Sequence, residues 1–115
     1  MKNFVGENLV VMTYTNILHY AVMRLFCSAN SVKLPLHVLG EGRNFRGFGT
    51  KIVHLRKALE AYKDDPKTIV LFVDAHDVLF YDGAKGIVEK FKKFDANVVI
   101  SAEANCWPDK DLCQW

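Results

Sequence analysis

Thr68-Ile69-Val70-Leu71-Phe72-Val73-Asp74-Ala75-His76-Asp77 decides the reading of this chain. Six residues, mostly apolar and rich in β-branched and aromatic types, end abruptly in two carboxylates with a histidine between them. A run this short and this composition reads as a strand buried on both faces. A carboxylate at the end of such a strand is costly unless water, a hydrogen-bond donor or a cation receives it. In open α/β sheets the carboxyl ends of the strands are also where ligands bind. Position and chemistry therefore point to the same edge.

Working outward, three other segments read as strands: residues 8–13, 36–39 and 97–101. Between them lie helical patterns. Residues 16–28 place Ile17, Tyr20, Ala21, Arg24, Leu25 and Ser28 at helical steps, widened by Leu18, Val22 and Phe26, with Asn16 as the expected N-cap. Residues 51–62 align Ile52, Leu55, Leu59 and Tyr62, and Asp64-Asp65-Pro66 stops them. Residues 84–94 align Ile87, Val88, Phe91 and Phe94. Residues 78–80 read as a short extended piece, and residues 102–115 as irregular. Strands alternating with helices imply βαβ units and a mostly parallel sheet, an α/β fold.

The bulk properties narrow the function classes. A chain of 115 residues builds one small core, and 50% apolar composition excludes general disorder. A net charge of +2, with lysines and arginines spread along the chain, offers no case for nucleic acid. Lys90, Lys92 and Lys93 read as the solvated face of a helix. No apolar run approaches the ~20 residues of a membrane span. The first eight residues have no secretory-signal pattern, which leaves a cytoplasmic location open. Three cysteines make neither a zinc framework nor a disulfide scaffold. Cys27 reads as a buried thiol in a helix, whereas the pairing of Cys106 with Cys113 stays open.

Each candidate site has a functional and a plainer reading. Asp74 and Asp77, three residues apart on a turn, suit a hard divalent ion that completes its shell with phosphate oxygens. The plainer reading is a solvated turn with Asp77 as a cap. His76 is a ligand, a stacking surface for a base, or a side chain turned to water. The loop from Gly40 to Lys51 follows a strand and precedes a helix, where backbone N–H groups can cradle phosphate. It is not a Walker A loop, because Phe48 stands where lysine is required. Nor is it a dinucleotide fingerprint, because Phe45 replaces the third glycine. Arg43, Arg46 and Lys51 are its cations, and a flexible surface loop is its plainer reading. Thr13-Tyr14-Thr15 offers hydroxyls and a ring to a nucleotide, or simple turn chemistry. Ser101-Ala102-Glu103 and Cys106-Trp107-Pro108 follow the last strand, so four segments converge on one rim. An aspartate nucleophile of a phosphatase-like domain is a weaker alternative, since no matching second motif is present.

Taken in order, Leu36-His37-Val38-Leu39-Gly40-Glu41-Gly42, Phe45-Arg46-Gly47, Gly49-Thr50-Lys51, Val73-Asp74-Ala75-His76-Asp77-Val78, Ser101-Ala102-Glu103 and Cys106-Trp107-Pro108 resemble the glycosyltransferase domain of the procollagen lysyl hydroxylase family over nearly the whole chain. The resemblance implies a Rossmann-like GT-A domain that uses Mn²⁺ and transfers galactose or glucose from a UDP-sugar to hydroxylysine or galactosyl-hydroxylysine of collagen, in the endoplasmic reticulum lumen. By position, Asp74 and Asp77 resemble the family's metal-binding aspartates. Val11, Thr13 and Thr15 resemble the nucleotide-side strand end, and Lys51 the lysine after the glycine cluster. Phe45 replaces a tryptophan, His76 replaces a tyrosine that packs on uridine, and Trp107 resembles a tryptophan lining the sugar cleft. The loop between Gly47 and Gly49 is shorter than the family's. The family's third metal ligand, a histidine, falls after the matched region, as do its acidic acceptor-side residues and the dioxygenase domain with its iron ligands. Residues 1–115 are therefore expected to be a partial glycosyltransferase domain, truncated on its C-terminal side, with no general base to name. The alternative is a non-catalytic fragment or binding module of the same fold.

Overall fold

A computed structural model describes residues 8–107 and 109–114. The first seven residues, Pro108 of the Cys-Trp-Pro segment and Trp115 lie outside the described residues. The described chain runs β1 (Asn8–Tyr14), α1 (Tyr20–Ser31), β2 (Leu36–Leu39), α2 (Gly49–Leu59), β3 (Thr68–Val73) and α3 (Ala84–Lys92). Short 3₁₀ turns cover Glu60–Tyr62 and Lys110–Gln114.

The three strands form one parallel sheet in the order β2-β1-β3. Val11 pairs with Leu36 on one side and Leu71 on the other, so β1 is the middle strand. Its last four residues are buried, whereas β3, expected to be buried on both faces, is half-buried along its length. The reason is position: β3 has a strand neighbour on one side only among the described residues. The core joins Val11, Leu25, Ala29, Leu34 and Phe80. Ser28 ties the segment after β3 to α1, donating to the Leu25 carbonyl and accepting from Phe80 N–H at 3.0 Å.

Several helical expectations shift. α1 starts at Tyr20, and its N-cap is His19, whose Nδ1 accepts from Ala21 N–H at 3.2 Å, rather than Asn16. Its buried face is Val22, Leu25 and Ala29; Ile17, Leu18 and Tyr20 are exposed. Cys27 points away from that face and is exposed, not buried. On α2, Lys51, His54, Leu55 and Ala58 are partly buried, while Ile52 and Leu59 are exposed, so the inward face is rotated from the expected apolar stripe. α3 buries Val88 and half-buries Ile87 and Phe91 as expected, but ends before Phe94, which is exposed. Residues 97–101, expected as a fourth strand, are irregular, with Val98 and Ile100 exposed. Their β-branched composition fits a strand, but a strand forms only where a neighbour pairs with it.

Candidate functional site

Strand order places the site. From β1 the chain crosses to β2 on one side, then returns past β1 to β3 on the other. The order reverses at β1, so the crevice outside the carboxyl ends of β1 and β3 is a topological switch point, the preferred ligand position in open α/β sheets. Tyr14 and Thr15 end one wall, and Asp74 follows the last residue of the other.

The β1 wall is built from engaged groups. Val11 is 1% exposed and belongs to the core. Thr13 is fully buried, and its hydroxyl donates to the Val73 carbonyl at 2.8 Å, stapling β1 to the end of β3. The Thr15 hydroxyl donates to the Ile17 carbonyl at 2.7 Å, shaping the turn into α1. Tyr14 is also buried, and its ring packs on His54 of α2 with centroids 5.3 Å apart. Gly40, at φ 83°, lies directly against that ring. The Tyr14 hydroxyl is buried and has no hydrogen-bond partner among the described residues.

The β3 wall carries the charge. Asp74, His76 and Asp77 are exposed around the buried Ala75. Lys51, in the first turn of α2, places its ammonium on Asp74 Oδ1. α2 begins at Gly49 with no side-chain cap among the described residues and no acidic residue in its first turn. Its leading N–H groups and Lys51 therefore make this end of the helix electropositive. His76 meets His19 edge to face, with centroids 6.3 Å apart.

The donor set fits a hard cation in part. The Asp74 carboxylate already holds a positive charge, the Lys51 ammonium, and Asp77 offers a second exposed carboxylate three residues on. Among the described residues no group of three histidine, cysteine or acidic side chains gathers to hold a metal. Two carboxylates plus phosphate oxygens are nonetheless the usual Mg²⁺-type arrangement with a nucleotide.

Of the residues singled out in the sequence, Lys51 and Asp74 touch, and Thr13 is bonded to the strand end beside Asp74. Phe45 lies in the glycine loop, half exposed, its ring edge-on to Phe48 at 6.3 Å. Trp107 is 77% exposed in a separate open cavity lined by Glu103, Asn105, Cys106, Trp107, Lys110 and Cys113. Cys106 and Cys113 are disulfide-bonded, closing that segment on itself. Two contributors escaped the sequence reading, His54 and His19. His54 carried a signal, standing one helical turn after Lys51; His19 carried none, since histidine is not a favoured N-cap.

Comparison with known proteins shows the family of the chain. The family model of the PLOD GT domain matches residues 5–115. Among curated relatives, a procollagen-lysine,2-oxoglutarate 5-dioxygenase of Drosophila melanogaster is 38% identical over 96 residues, covering 77% of this chain and 13% of that protein. The human procollagen-lysine,2-oxoglutarate 5-dioxygenase 1 is 33% identical over 113 residues, covering 92% of this chain and 16% of the relative. A mouse procollagen-lysine,2-oxoglutarate 5-dioxygenase 2 is 30% identical over 115 residues, with 93% and 16% covered. The chain thus spans about one sixth or less of the length of these relatives.

Proposed function

This chain belongs to the PLOD GT domain family, and on that premise we propose that it forms the nucleotide-sugar side of a Mn²⁺-dependent hexosyltransferase. The observation that carries the reading is the exposed pair Asp74 and Asp77 at the switch-point crevice, with a cation on Asp74. Asp74 and Asp77 would hold Mn²⁺ against the diphosphate of a UDP-sugar. The ion, when bound, supplies Lewis-acid neutralisation of the leaving diphosphate. Lys51 and the uncapped start of α2 add positive charge where the phosphates lie. The end of β1 would border the uridine, with Thr15 at its edge and Val11 and Thr13 buried behind it. His76 would offer a ring to its face and Phe45 would border the donor, whereas Trp107 lines its own separate cavity.

UDP-galactose or UDP-glucose is the donor of this reading, and a hydroxylysine side chain of a collagen-like chain the acceptor. No residue of this chain is assigned as general base. An endoplasmic reticulum location accords with the Cys106–Cys113 disulfide, a bond that persists in oxidising compartments. No helix among the described residues is long and apolar enough to cross a membrane.

The test is calorimetric titration of UDP into the purified chain, with Mn²⁺ and then with EDTA. The wild-type chain is expected to bind UDP only with Mn²⁺, and Asp74→Asn or Asp77→Asn to abolish that binding. Unchanged affinity in both variants refutes the metal role.

A further inference from the structure

The contact between Lys51 and Asp74 links residues 23 positions apart, from the first turn of α2 to the residue after β3. The two side chains are 31% and 55% exposed, so this is an ion pair open to solvent rather than a buried structural one. Asp77, three residues on, is exposed and forms no hydrogen bond or ion pair among the described residues. One ammonium thus neutralises one of two neighbouring carboxylates and leaves the other to water.

We propose that Lys51 is an internal counter-cation, occupying the Asp74 carboxylate until a divalent ion displaces it and frees the ammonium. The proposal rests on the metal role of Asp74 and Asp77 given above. Three physical points carry it. An ammonium and a metal ion compete for the same carboxylate lone pairs, because lysine donates to them and the ion coordinates them. A divalent ion neutralises both carboxylates where lysine neutralises one, so exchange is favourable only when Asp77 takes part. Lysine is a point charge on a flexible four-carbon stem, so it can leave Asp74 without moving α2. Arrival of the ion then turns a side chain committed to Asp74 into a free cation at the crevice, available to an anionic ligand. Metal and anion binding become coupled through one residue.

This coupling separates Lys51 from a residue that merely docks α2 on β3. Removing a docking contact would weaken or leave unchanged every ligand's binding. Removing a competitor tightens the metal and weakens the anion. The experiment measures Mn²⁺ alone, by the electron paramagnetic resonance signal of free Mn²⁺, and then UDP at saturating Mn²⁺ by calorimetry. Lys51→Met is expected to bind Mn²⁺ alone about two- to fivefold tighter, the range an exposed lysine–carboxylate pair can supply, and to bind UDP at saturating Mn²⁺ more weakly. Lys51→Arg is expected to keep the wild-type Mn²⁺ affinity. Lys51→Gln, which keeps a polar contact to Asp74 without charge, should follow Lys51→Met and carries the comparison if the methionine variant does not fold. Mn²⁺ affinity unchanged or weakened in the neutral variants overturns the counter-cation role alone. No Mn²⁺ binding by the wild type or any variant overturns the metal role of the two aspartates together with it.

Discussion

Gly40→Ala is the substitution whose effect the structure dictates most directly. Gly40 sits just after β2 at φ 83°, where an L side chain is strained by roughly 1–2 kcal/mol. An added Cβ would overlap Tyr14 Cε2 and lie 2.7 Å from Cζ and 2.8 Å from Cδ2. The ring cannot easily yield, because Tyr14 is 6% exposed and packs on His54. Forcing a methyl group into a filled site costs about 1–3 kcal/mol. Together the two effects predict a loss of about 2–5 kcal/mol, a large share of what a domain of this size has to lose. In urea denaturation, with a slope of ~1.5 kcal/mol/M, the midpoint should fall by roughly 1.3–3.3 M. A double-mutant cycle identifies the cause. In a Tyr14→Ala background the steric part vanishes, so Gly40→Ala should there cost only the backbone strain, leaving a coupling of at least ~1 kcal/mol. Equal cost in both backgrounds, or an unchanged midpoint in the single variant, refutes the account of Tyr14 as the lid on Gly40.

Two further expectations concern stability. Tyr14→Phe should leave the unfolding free energy unchanged or raise it by up to ~1 kcal/mol, since it removes a buried hydroxyl with no partner among the described residues; a clear loss would show that the hydroxyl has one. Asp65, held down by the Thr68 hydroxyl and the Lys67 N–H, and Asp82, held down by Lys90 and the Gly83 N–H, both lie below the usual 3.8 in the fold. Depressed folded values mean that the unfolded chain binds more protons in this window, so their contribution is complete above about pH 4 and is lost as pH falls through their lower folded values. The urea midpoint of an Asp65→Asn/Asp82→Asn double variant should therefore fall less steeply than the wild type's below pH 4; identical acid slopes would refute the assignment.

The three observed strands were legible within a residue because each is a short, mostly apolar run, and β1 and β3 are rich in β-branched residues. Residues 97–101 have the same composition without the pairing, because composition reports fitness for a sheet and not the presence of a neighbour. The inward faces of α1 and α2 were misplaced for a related reason. Apolar periodicity counts Ile52 and Leu59, but the face that meets the sheet edge carries Lys51 and His54, which serve the charge and ring contacts of the crevice. The residues Asp74, Asp77 and Lys51 were legible as chemistry. Their juxtaposition was not, because a contact across 23 positions depends on the crossover from β2 to β3.

The way β1 uses its hydroxyls bears on what the crevice can recognise. Thr13 donates to Val73 and Thr15 to Ile17, so each hydroxyl proton is already engaged within the fold. Val11 lies in the core, below the rim. The floor of the crevice is thus a finished surface, with Thr13 fully buried and the Thr15 oxygen also accepting from Ile17 N–H, so its contribution to a ligand is shape. Discrimination must then come from the groups that remain open to solvent. After β3 these are Asp74 and Asp77, with His76 edge-on to His19, and on α2 the side chain is Lys51. Charge dominates that set, and a charged rim on an inert floor holds a diphosphate more firmly than it selects a base. The base would instead be held by the exposed rings of His76 and His19, by contact with a face rather than by hydrogen bonds from threonine. On this argument His76→Ala should weaken UDP and uridine alike, whereas Lys51→Met should weaken UDP and leave uridine unchanged. Competition binding with the two ligands in the presence of Mn²⁺ separates these, and a His76→Ala chain that still binds both as the wild type does would place the base elsewhere.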